Sequence, residues 1–370
     1  MRRPVLAAAA GALSLLAAAA TGAAAAEPEQ GWLFNDSHFH LTNYVQRGLT
    51  MSEYVAMMGT TVKRSTVFGI PLQQTWSHAN SGDFAPTYYL HSDSPLYYYS
   101  FTDAAIASGY LSLVPADRAR LDPMITGFNP ADMYAVDHIK RVLQIFPGVF
   151  SGIGEFSVHK EFVSSKIAGE TASLTNPALD RILDFAGEAG LVVILHSDID
   201  MPFTQRDDLP LYYTQMRDLL ARHPATTIIW AHTGLGRVVQ PGSAQATAQP
   251  NRRPPTHIEL IERLLADPAL GHVNFDISWD ELAKYALASP ETIERVAAAF
   301  DRHPSRFLFG TDNVAPRDLE SDLKVFHMWK PIFGRLRPAT RAAITMGNYE
   351  RLFDAARLRV RAWERENGGK

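Results

Sequence analysis

The chain has no cysteine among its 370 residues. This absence excludes disulfide bonds, thiol nucleophiles, lipidation of an N-terminal cysteine and every metal site that needs a thiolate ligand. Any metal ion must therefore be held by histidine and carboxylate side chains. A chain of this length can bury a core that folds without disulfides, so the lack of cysteine does not argue against export.

The chain also lacks a basic cluster and a strong excess of either charge. Its formal net charge is −4, and lysine and arginine are scattered along the sequence. Proteins that bind nucleic acid present a basic patch or stripe, so we expect no nucleic-acid partner. Hydrophobic residues make up 46% and charged residues 20% of the chain, an ordinary balance for a large globular domain.

The N-terminus carries a short apolar run. Arg2 and Arg3 precede the Ala- and Leu-rich run Val5–Ala20, and small residues follow up to Ala26. This layout predicts a cleaved signal peptide over residues 1–26, export to the periplasm or the medium, and no stable membrane insertion after cleavage. The run is short for a membrane span, which disfavours a retained anchor. The arginine pair leaves the general and the twin-arginine export routes both open.

Short apolar runs alternate with longer amphipathic segments over residues 27–370, which we treat as one domain. Such alternation is typical of βα units, and eight runs predict an α/β fold of the (β/α)8 TIM-barrel type with loop insertions. The predicted strands are Trp32–Ser37, Val62–Ile70, Asp122–Phe128, Ser151–Phe156, Leu191–His196, Thr226–His232, Val273–Ser278 and Arg306–Thr311. The predicted helices are Ala131–Phe146, Pro177–Ala189, Leu211–Arg222, Thr256–Leu265, Pro290–Phe300 and a last one from Pro338 to Arg357 or beyond.

Two segments interrupt this alternation. Residues 73–110 are long and aromatic, which predicts a packed lid or a contact between subunits and leaves a homo-oligomer open. Residues 236–255 are polar and rich in glutamine, proline and arginine, which predicts a mobile loop.

Ionisable side chains stand at the ends of five predicted strands. His38 and His40 follow the first strand, and alternate residues of a strand point to the same side. The fourth, fifth, sixth and eighth strands end in Glu155, His196, His232 and Asp312. Barrel enzymes place their functional groups at these strand ends, and imidazole and carboxylate ligands suit zinc and similar ions. The pattern predicts a site for divalent metal.

Other polar residues near the strand ends have less certain roles. Asp36 orients a ligand histidine or caps a turn, and the sequence leaves both roles open. Six residues that follow or end strands 5, 6 and 7 could contact a substrate: Asp198, Asp200, Arg237, Asp276, Trp279 and Asp280. His78 and His91 in the aromatic segment could do so too, and for all eight a surface or packing role is the default.

An ordered set of motifs resembles the amidohydrolase superfamily, most closely its amidohydrolase-related (family 2) branch. The motifs are Asp36-x-His38-x-His40, Gly154-Glu155, the strand-end His196 and His232, Gly310-Thr311-Asp312 and the run Asn348–Phe353. The resemblance covers essentially the whole chain after residue 26. It implies a barrel that binds one or two divalent ions, often zinc, and acts on a small molecule.

The resemblance also implies roles for the first and last of these residues. His38 and His40 would be ligands of a first ion, with Asp312 beside them. Asp312 would also be catalytic, taking the proton of the attacking water.

The middle strands would complete the site. Glu155 occupies a strand-4 position that bridges two ions in some relatives, and His196 would be a ligand from strand 5. His232 would hold a second ion or, in a one-ion site, act as a catalytic base or a hydrogen-bond donor to the substrate. Many relatives carry a carbamylated lysine on strand 4, and Glu155 argues against that variant here.

The resemblance favours a hydrolase that cleaves an ester, lactone or amide bond. Two alternatives stay open at this point. One is a metal-dependent decarboxylase of the same family, and the other is an exported binding protein without catalysis.

Overall fold

The structure is a computed structural model that describes most of the chain. The described residues are 31–43, 47–70, 75–76, 90–91, 101–160, 163–164, 166–167, 170–171, 173–200, 209–236 and 255–368. The predicted signal peptide lies outside them, and so do most of the predicted aromatic insertion and most of the predicted mobile loop.

Eight parallel strands are paired in chain order, which confirms the predicted TIM barrel. They are β1 (Phe34–Asp36), β2 (Val62–Val67), β3 (Leu121–Ile125), β4 (Gly152–Lys160), β5 (Val192–Ser197), β6 (Thr227–Trp230), β7 (Val273–Asp276) and β8 (Phe307–Leu308). The barrel closes between β8 and β1, where the Ser37 N–H donates to the Phe309 carbonyl at 3.1 Å. Just beyond, the short strands Phe39–His40 and Asn313–Val314 pair in parallel.

Helices surround the barrel. They are α1 (Met51–Met58), α2 (Phe101–Ser112), α3 (Pro115–Arg118), α4 (Ala135–Ile145), α5 (Pro177–Ala189), α6 (Leu211–Arg222), α7 (His257–Ala266), α8 (Asp280–Ala286), α9 (Pro290–Arg302), α10 (Leu319–Phe333), α11 (Pro338–Ala342) and α12 (Asn348–Asn367). A single π-helical turn, Ala343–Gly347, joins α11 to α12. No helix within the described part of the chain combines the length and the apolar character that crossing a membrane requires.

Short strand pairs decorate this framework. Val163–Ser164 folds back on the end of β4, Lys166–Ile167 pairs with Glu170–Thr171, and Thr75–Trp76 pairs with Leu90–His91. The last pair lies inside the segment predicted as an aromatic insertion.

Local sequence explains the bounds of α5, which was predicted as it is observed. The side chain of Asn176 accepts a hydrogen bond from Ala178 N, and Pro177 opens α5. Gly190 ends the helix with φ +78°, a left-handed conformation that glycine adopts without a steric penalty. These are the start and stop signals of a helix.

Helix α2, which was not predicted, begins at Phe101 within the segment predicted as an insertion over residues 73–110. The buried face of α2 includes Thr102 and Asp103, so it has no clean apolar stripe for the sequence to reveal. Asp103 is satisfied there by hydrogen bonds from Thr126 N and Gly127 N at 2.9 Å each. The prediction also missed α1, α3, α8 and α10.

Several predicted strand ends are wrong too. β4 continues from the predicted end at Phe156 to Lys160. β6 ends at Trp230 rather than His232, because His232 and Thr233 both have φ +52° and form a 3₁₀ turn. A left-handed backbone cannot continue a strand. β8 is likewise two residues long rather than six.

The core forms two layers because successive strand residues point to opposite faces. On β5, Val193 and Leu195 pack outward with the helices, whereas Val192 and Ile194 pack inside the barrel. Tyr349 and Phe353 of α12 join the inner cluster. Helix α12 therefore closes the N-terminal end of the barrel and leaves the C-terminal end for polar side chains.

Candidate metal centre

Six ionisable side chains meet at the C-terminal end of the barrel. They are the six predicted from the strand ends: His38, His40, Glu155, His196, His232 and Asp312. Their donor atoms form three overlapping groups, each with all atoms within 4.8 Å of one another. The groups are His38 with His40 and Glu155, His38 with His232 and Asp312, and Glu155 with His196 and His232.

The spacing between donor atoms fits ligands that surround an ion. Asp312 Oδ1 lies 3.1 Å from His40 Nε2 and 3.3 Å from His38 Nε2. Glu155 Oε2 lies 3.5 Å from His40 Nε2 and 3.7 Å from His38 Nε2. Two ligands about 2.0–2.1 Å from a tetrahedral zinc ion lie about 3.3 Å apart. The cluster thus has the dimensions of a metal site.

Buried imidazole nitrogens support the same fit. His38 Nε2 and His40 Nδ1 are buried, and within the described structure neither has a hydrogen-bond partner. A buried polar atom without a partner is costly. For His38 the atom in question faces both carboxylates, so a metal ion between these groups would satisfy it.

Glu155 stands between the two halves of the cluster. Its Oε1 lies 2.6 Å from His196 Nδ1 and 3.6 Å from His232 Nε2, while Oε2 faces the first histidine pair. The preceding residue, Gly154, allows this placement because a Cβ there would lie 2.1 Å from the Ile194 carbonyl oxygen. One carboxylate can therefore serve ligands on both sides.

The electrostatics keep both carboxylates ionised. Burial alone would raise the pKa of Glu155, but the charges of Lys160 and His196 hold it well below its ordinary value. Burial also acts to raise the pKa of Asp312, whereas His232, His38 and a hydrogen bond from His40 lower it. Ionised carboxylates are ready to bind a cation without losing a proton.

The two leading histidines respond differently to the same surroundings. Burial lowers the pKa of His40 despite its contact with Asp312, which favours the neutral ring that binds metal. Burial also acts to lower the pKa of His38, but Asp276 and Asp312 raise it well above the ordinary value. The negative field that favours a proton on His38 equally favours a divalent ion beside it.

Asp276 anchors two histidines at once. Its Oδ2 accepts a hydrogen bond from His38 Nδ1 at 2.9 Å, and its Oδ1 accepts one from the backbone N–H of His232 at 2.8 Å. Ser278 Oγ donates to Asp276 Oδ1 and lies 2.8 Å from His232 Nδ1. Because the Ser278 hydroxyl donates to Asp276, its oxygen accepts a hydrogen bond from His232 Nδ1. The Nδ1 atoms of His38 and His232 then both carry a proton. The Nε2 atoms of His38 and His232 are then left to face the cluster.

Two of the six residues adopt a left-handed backbone. His232 has φ +52° and Asp312 has φ +54°, values that non-glycine residues rarely adopt. The backbone N–H of Asp312 donates to the His38 carbonyl at 2.8 Å. The backbone N–H of His232 donates to the side-chain Oδ1 of Asp276, as described above. Hydrogen bonds thus hold both strained residues in place, a combination typical of functional sites.

Asp36 has the turn role and does not touch a histidine ring. Its Oδ1 accepts from the backbone N–H groups of His38 and Thr311, at 3.0 and 2.9 Å. Its Oδ2 accepts from Thr311 Oγ1 at 2.6 Å. Asp36 therefore joins the ends of β1 and β8, where Gly310 permits the close approach because a Cβ there would lie 2.9 Å from the His38 Cβ.

The residues predicted as possible substrate contacts occupy different positions relative to the cluster. Asp198 is buried, with its Oδ1 3.1 Å from His196 Nε2, so a surface role is wrong for it. Asp200 accepts a hydrogen bond from Leu211 N at 3.3 Å. Asp280 is a surface residue paired with Lys284 at 3.0 Å.

Trp279 remains a substrate-contact prediction, with its ring 5.2 Å from that of His232. The predictions for Arg237 and His78 lie outside the described residues. For His91 the structure describes only the backbone, in the short strand Leu90–His91.

The sequence prediction missed the anchoring role of Asp276 and did not include Ser278. A surface or packing role was the default for Asp276, yet it is fully buried. The sequence did signal that Asp276 belongs near the site, because it lies toward the C-terminal end of the seventh predicted strand, as the six acids and histidines do on five others. Ser278 lies two residues further on, a spacing that can return a side chain to the same region.

The comparisons with known proteins agree with this architecture. A family model described as amidohydrolase matches residues 36–355. No match was found among curated proteins. A crystal structure of an amidohydrolase from Burkholderia multivorans with bound HEPES is 14% identical in sequence and has a TM-score of 0.50. The match covers 87% of this chain and 99% of that one.

Two further structures are similar at lower scores. Another crystal form of the Burkholderia multivorans amidohydrolase, with bound zinc, is 14% identical with a TM-score of 0.47, covering 87% of this chain and 99% of that one. A dihydroorotase from Campylobacter jejuni is 12% identical with a TM-score of 0.48, covering 87% and 83%.

The chain belongs to the amidohydrolase family, since the match spans most of its length and all six residues of the cluster. It is an enzyme of the amidohydrolase type, which replaces the alternative of a binding protein without catalysis.

Proposed function

We propose that this enzyme is a metal-dependent hydrolase that cleaves an ester, lactone or amide bond of a small molecule. The observation that carries the proposal is the convergence of four histidines and two ionised carboxylates at the open end of the barrel. Such a donor set, without thiolates, suits zinc or a similar divalent ion.

His38, His40 and Asp312 would hold one ion. Glu155, His196 and His232 form a second group of donors that would hold a second ion. A bound ion would bring the pKa of a water molecule toward neutrality and polarise the oxygen of the scissile bond. We take zinc as the preferred ion because imidazole nitrogens outnumber carboxylates in the cluster.

Asp312 is the residue best placed to move the proton. Its side chain is 13% exposed, more than that of Glu155 at 5% or of His38 at 0%. Its Oδ1 faces the first histidine pair, whereas its Oδ2 lies 3.8 Å from His232 Nε2. An ionised carboxylate at the open side of the cluster can accept the proton of the attacking water.

His232 would complete the site from the opposite side. Its Nδ1 is held by Ser278, which directs Nε2 toward Glu155 and Asp312. In a site with two ions Nε2 would be a ligand. In a site with one ion Nε2 would act as a base or, once protonated, donate a hydrogen bond to the substrate oxygen.

We also propose that the enzyme is exported and that residues 1–26 are removed. The support is the arrangement of Arg2, Arg3 and the apolar run in the sequence. Intact mass of protein recovered from the periplasm or the medium would show a chain that starts at Glu27. A mature protein retaining these residues would contradict this part of the proposal.

The test of the reaction uses a panel of esters, lactones and amides with the wild type and His38→Ala. We expect wild-type turnover to stop on chelation and return with zinc, and His38→Ala to be inactive. His327→Ala, which removes an exposed histidine on α10, should retain full activity. Turnover that survives chelation, or carbon dioxide release from aromatic acids without hydrolysis, would contradict the proposal.

A further inference from the structure

A second cleft, of about 440 Å³, opens at the other end of the barrel. It is formed where β6, β7 and β8 begin, together with α12. Its polar lining includes Thr227, His272, Asn274, Ser305, Arg306 and Arg351. The candidate metal centre lies at the opposite ends of the same strands, so the two sites are separated by the length of the barrel.

Two arginines give this cleft its character. Arg306 donates from Nε and one terminal nitrogen to the carbonyls of Val273 and Leu270, at 2.5 and 2.6 Å. Arg351 donates from one terminal nitrogen to the Ser305 carbonyl at 2.8 Å. A guanidinium has five N–H donors, so each group keeps donors beyond these bonds. Arg306 also lies over the Phe275 ring, 5.9 Å from its centroid. These neutral contacts fix the two groups in place, but they supply no negative charge.

No carboxylate lines the cleft. Within the described part of the chain, neither Arg306 nor Arg351 forms an ion pair. The acids that lie close to them in the sequence pair with other cations: Asp301 with Arg337, Glu350 with Lys63, and Asp354 with Arg64. The acids nearest to the two arginines in the sequence are therefore already paired with other cations.

The two charges disfavour each other. Burial and the positive charge of Arg351 lower the pKa of Arg306, and burial lowers that of Arg351. Burial also lowers the pKa of His272, so this ring adds no charge near neutral pH. Arg306 is half-buried and Arg351 is exposed. An anion placed between the guanidinium groups would offset their repulsion and the partial loss of hydration of Arg306.

We propose that this cleft binds a phosphate-bearing small molecule, with the phosphoryl oxygens between Arg306 and Arg351. A phosphate dianion balances two positive charges, and guanidinium groups match its oxygens with paired hydrogen bonds. The volume exceeds what one phosphate group fills and lies in the range of small-molecule sites. Asn274 and Ser305 line the remaining space. This binding site is independent of the hydrolytic function proposed above.

The test is calorimetric titration of the purified protein with inorganic phosphate and with glycerol 3-phosphate, at constant ionic strength. Arg351→Gln removes one guanidinium. Arg365→Gln is the matched control, because it makes the same change on an exposed residue of the same helix. We expect Arg365→Gln to bind each compound with the same affinity as the wild type. Both proteins should bind glycerol 3-phosphate more tightly than inorganic phosphate. Arg351→Gln should bind about tenfold more weakly.

Comparing these variants separates the cleft from any binding at the metal centre, which both variants retain. Equal affinity in Arg351→Gln and the wild type, or no binding by the wild type, would overturn the proposal. Citrate binding as tightly as glycerol 3-phosphate would overturn the assignment to phosphate. Arg351→Lys keeps the charge without the paired donors and should fall between the wild type and Arg351→Gln.

Discussion

At the scale of single residues, Asp276 and Ser278 decide which nitrogen His38 and His232 present to the cluster. A ligand histidine binds metal best when its other nitrogen donates to a fixed acceptor. Asp276 provides that acceptor directly for His38 and through Ser278 for His232. The two rings, from β1 and β6, thus depend on one buried carboxylate at the end of β7.

The first prediction concerns Ser278. Replacing it with alanine leaves Nδ1 of His232 without its partner, so the ring can adopt the wrong tautomer or turn away. Zinc affinity, measured by competition with a chromophoric chelator, should fall about 10- to 100-fold. Ser278→Thr keeps the hydroxyl and should restore most of that affinity.

The control for that measurement is Ser112→Ala, which removes an exposed hydroxyl at the end of α2. It should bind zinc as the wild type does. If Ser278→Ala also binds zinc with unchanged affinity, the hydrogen bond to His232 does not orient the ring.

The second prediction is the pH dependence of stability that His257 causes. Burial lowers its pKa from 6.5 to about 4, and its Nε2–H donates to the Thr233 carbonyl. Because the unfolded chain takes up this proton first, stability is full above pH 6.5 and is lost as the pH falls toward 4. This one residue accounts for about 3 kcal/mol of that loss.

The variant His257→Gln tests this, because its amide can still donate to Thr233 but does not titrate. Urea unfolding at pH 6.5 and pH 4 should show a smaller loss of unfolding free energy than in the wild type. His327→Gln, at an exposed position, should leave the loss unchanged. An identical loss in His257→Gln would contradict the prediction.

At the scale of elements, end signals alone did not decide which helices could be predicted. The missed α1 has a capping box formed by Thr50 and Glu53, whereas α6 was predicted without a capping side chain. The observed bounds of α5 and α6 are the predicted ones. Helix α10 escaped prediction in a stretch where Pro331 interrupts its last turn. The end of β6 could not be placed either, because the left-handed turn at His232 arises from contacts with β7 that are distant in the sequence.

The third prediction concerns the attachment of α12 to the barrel. Asp122 at the start of β3 is fully buried and accepts hydrogen bonds from Arg64, Tyr349 and Arg357, at 2.8, 2.8 and 2.6 Å. Asp122→Asn removes the buried charge that Arg64 and Arg357 share, and leaves Arg64 only the more exposed Asp354 as a counter-charge. We expect it to lower the free energy of unfolding by about 3–5 kcal/mol in urea titrations.

The matched control is Glu294→Gln, which breaks an exposed pair with Arg335. It should cost less than about 1 kcal/mol. A change in Asp122→Asn as small as that of the control would show that the buried network does not hold the helix.

At the scale of the whole molecule, strand order alone brings the six predicted residues together. Parallel strands paired in chain order place their C-terminal ends side by side, which is why residues as distant as His38 and Asp312 could be predicted to meet. The sequence could not show that Asp276 would anchor two of them, because a strand-end aspartate has many possible partners. The cleft at Arg306 was hidden for the same reason, since its walls come from three strands and α12.

The central claim is that this cluster holds a divalent metal ion, and metal content tests it most directly. Protein from metal-replete medium would be analysed by plasma mass spectrometry as wild type, as the double variant His38→Ala with His40→Ala, and as His327→Ala. We predict at least one equivalent of transition metal, mainly zinc, in the wild type and the control, and almost none in the double variant. A folded wild type with under about half an equivalent would contradict the account.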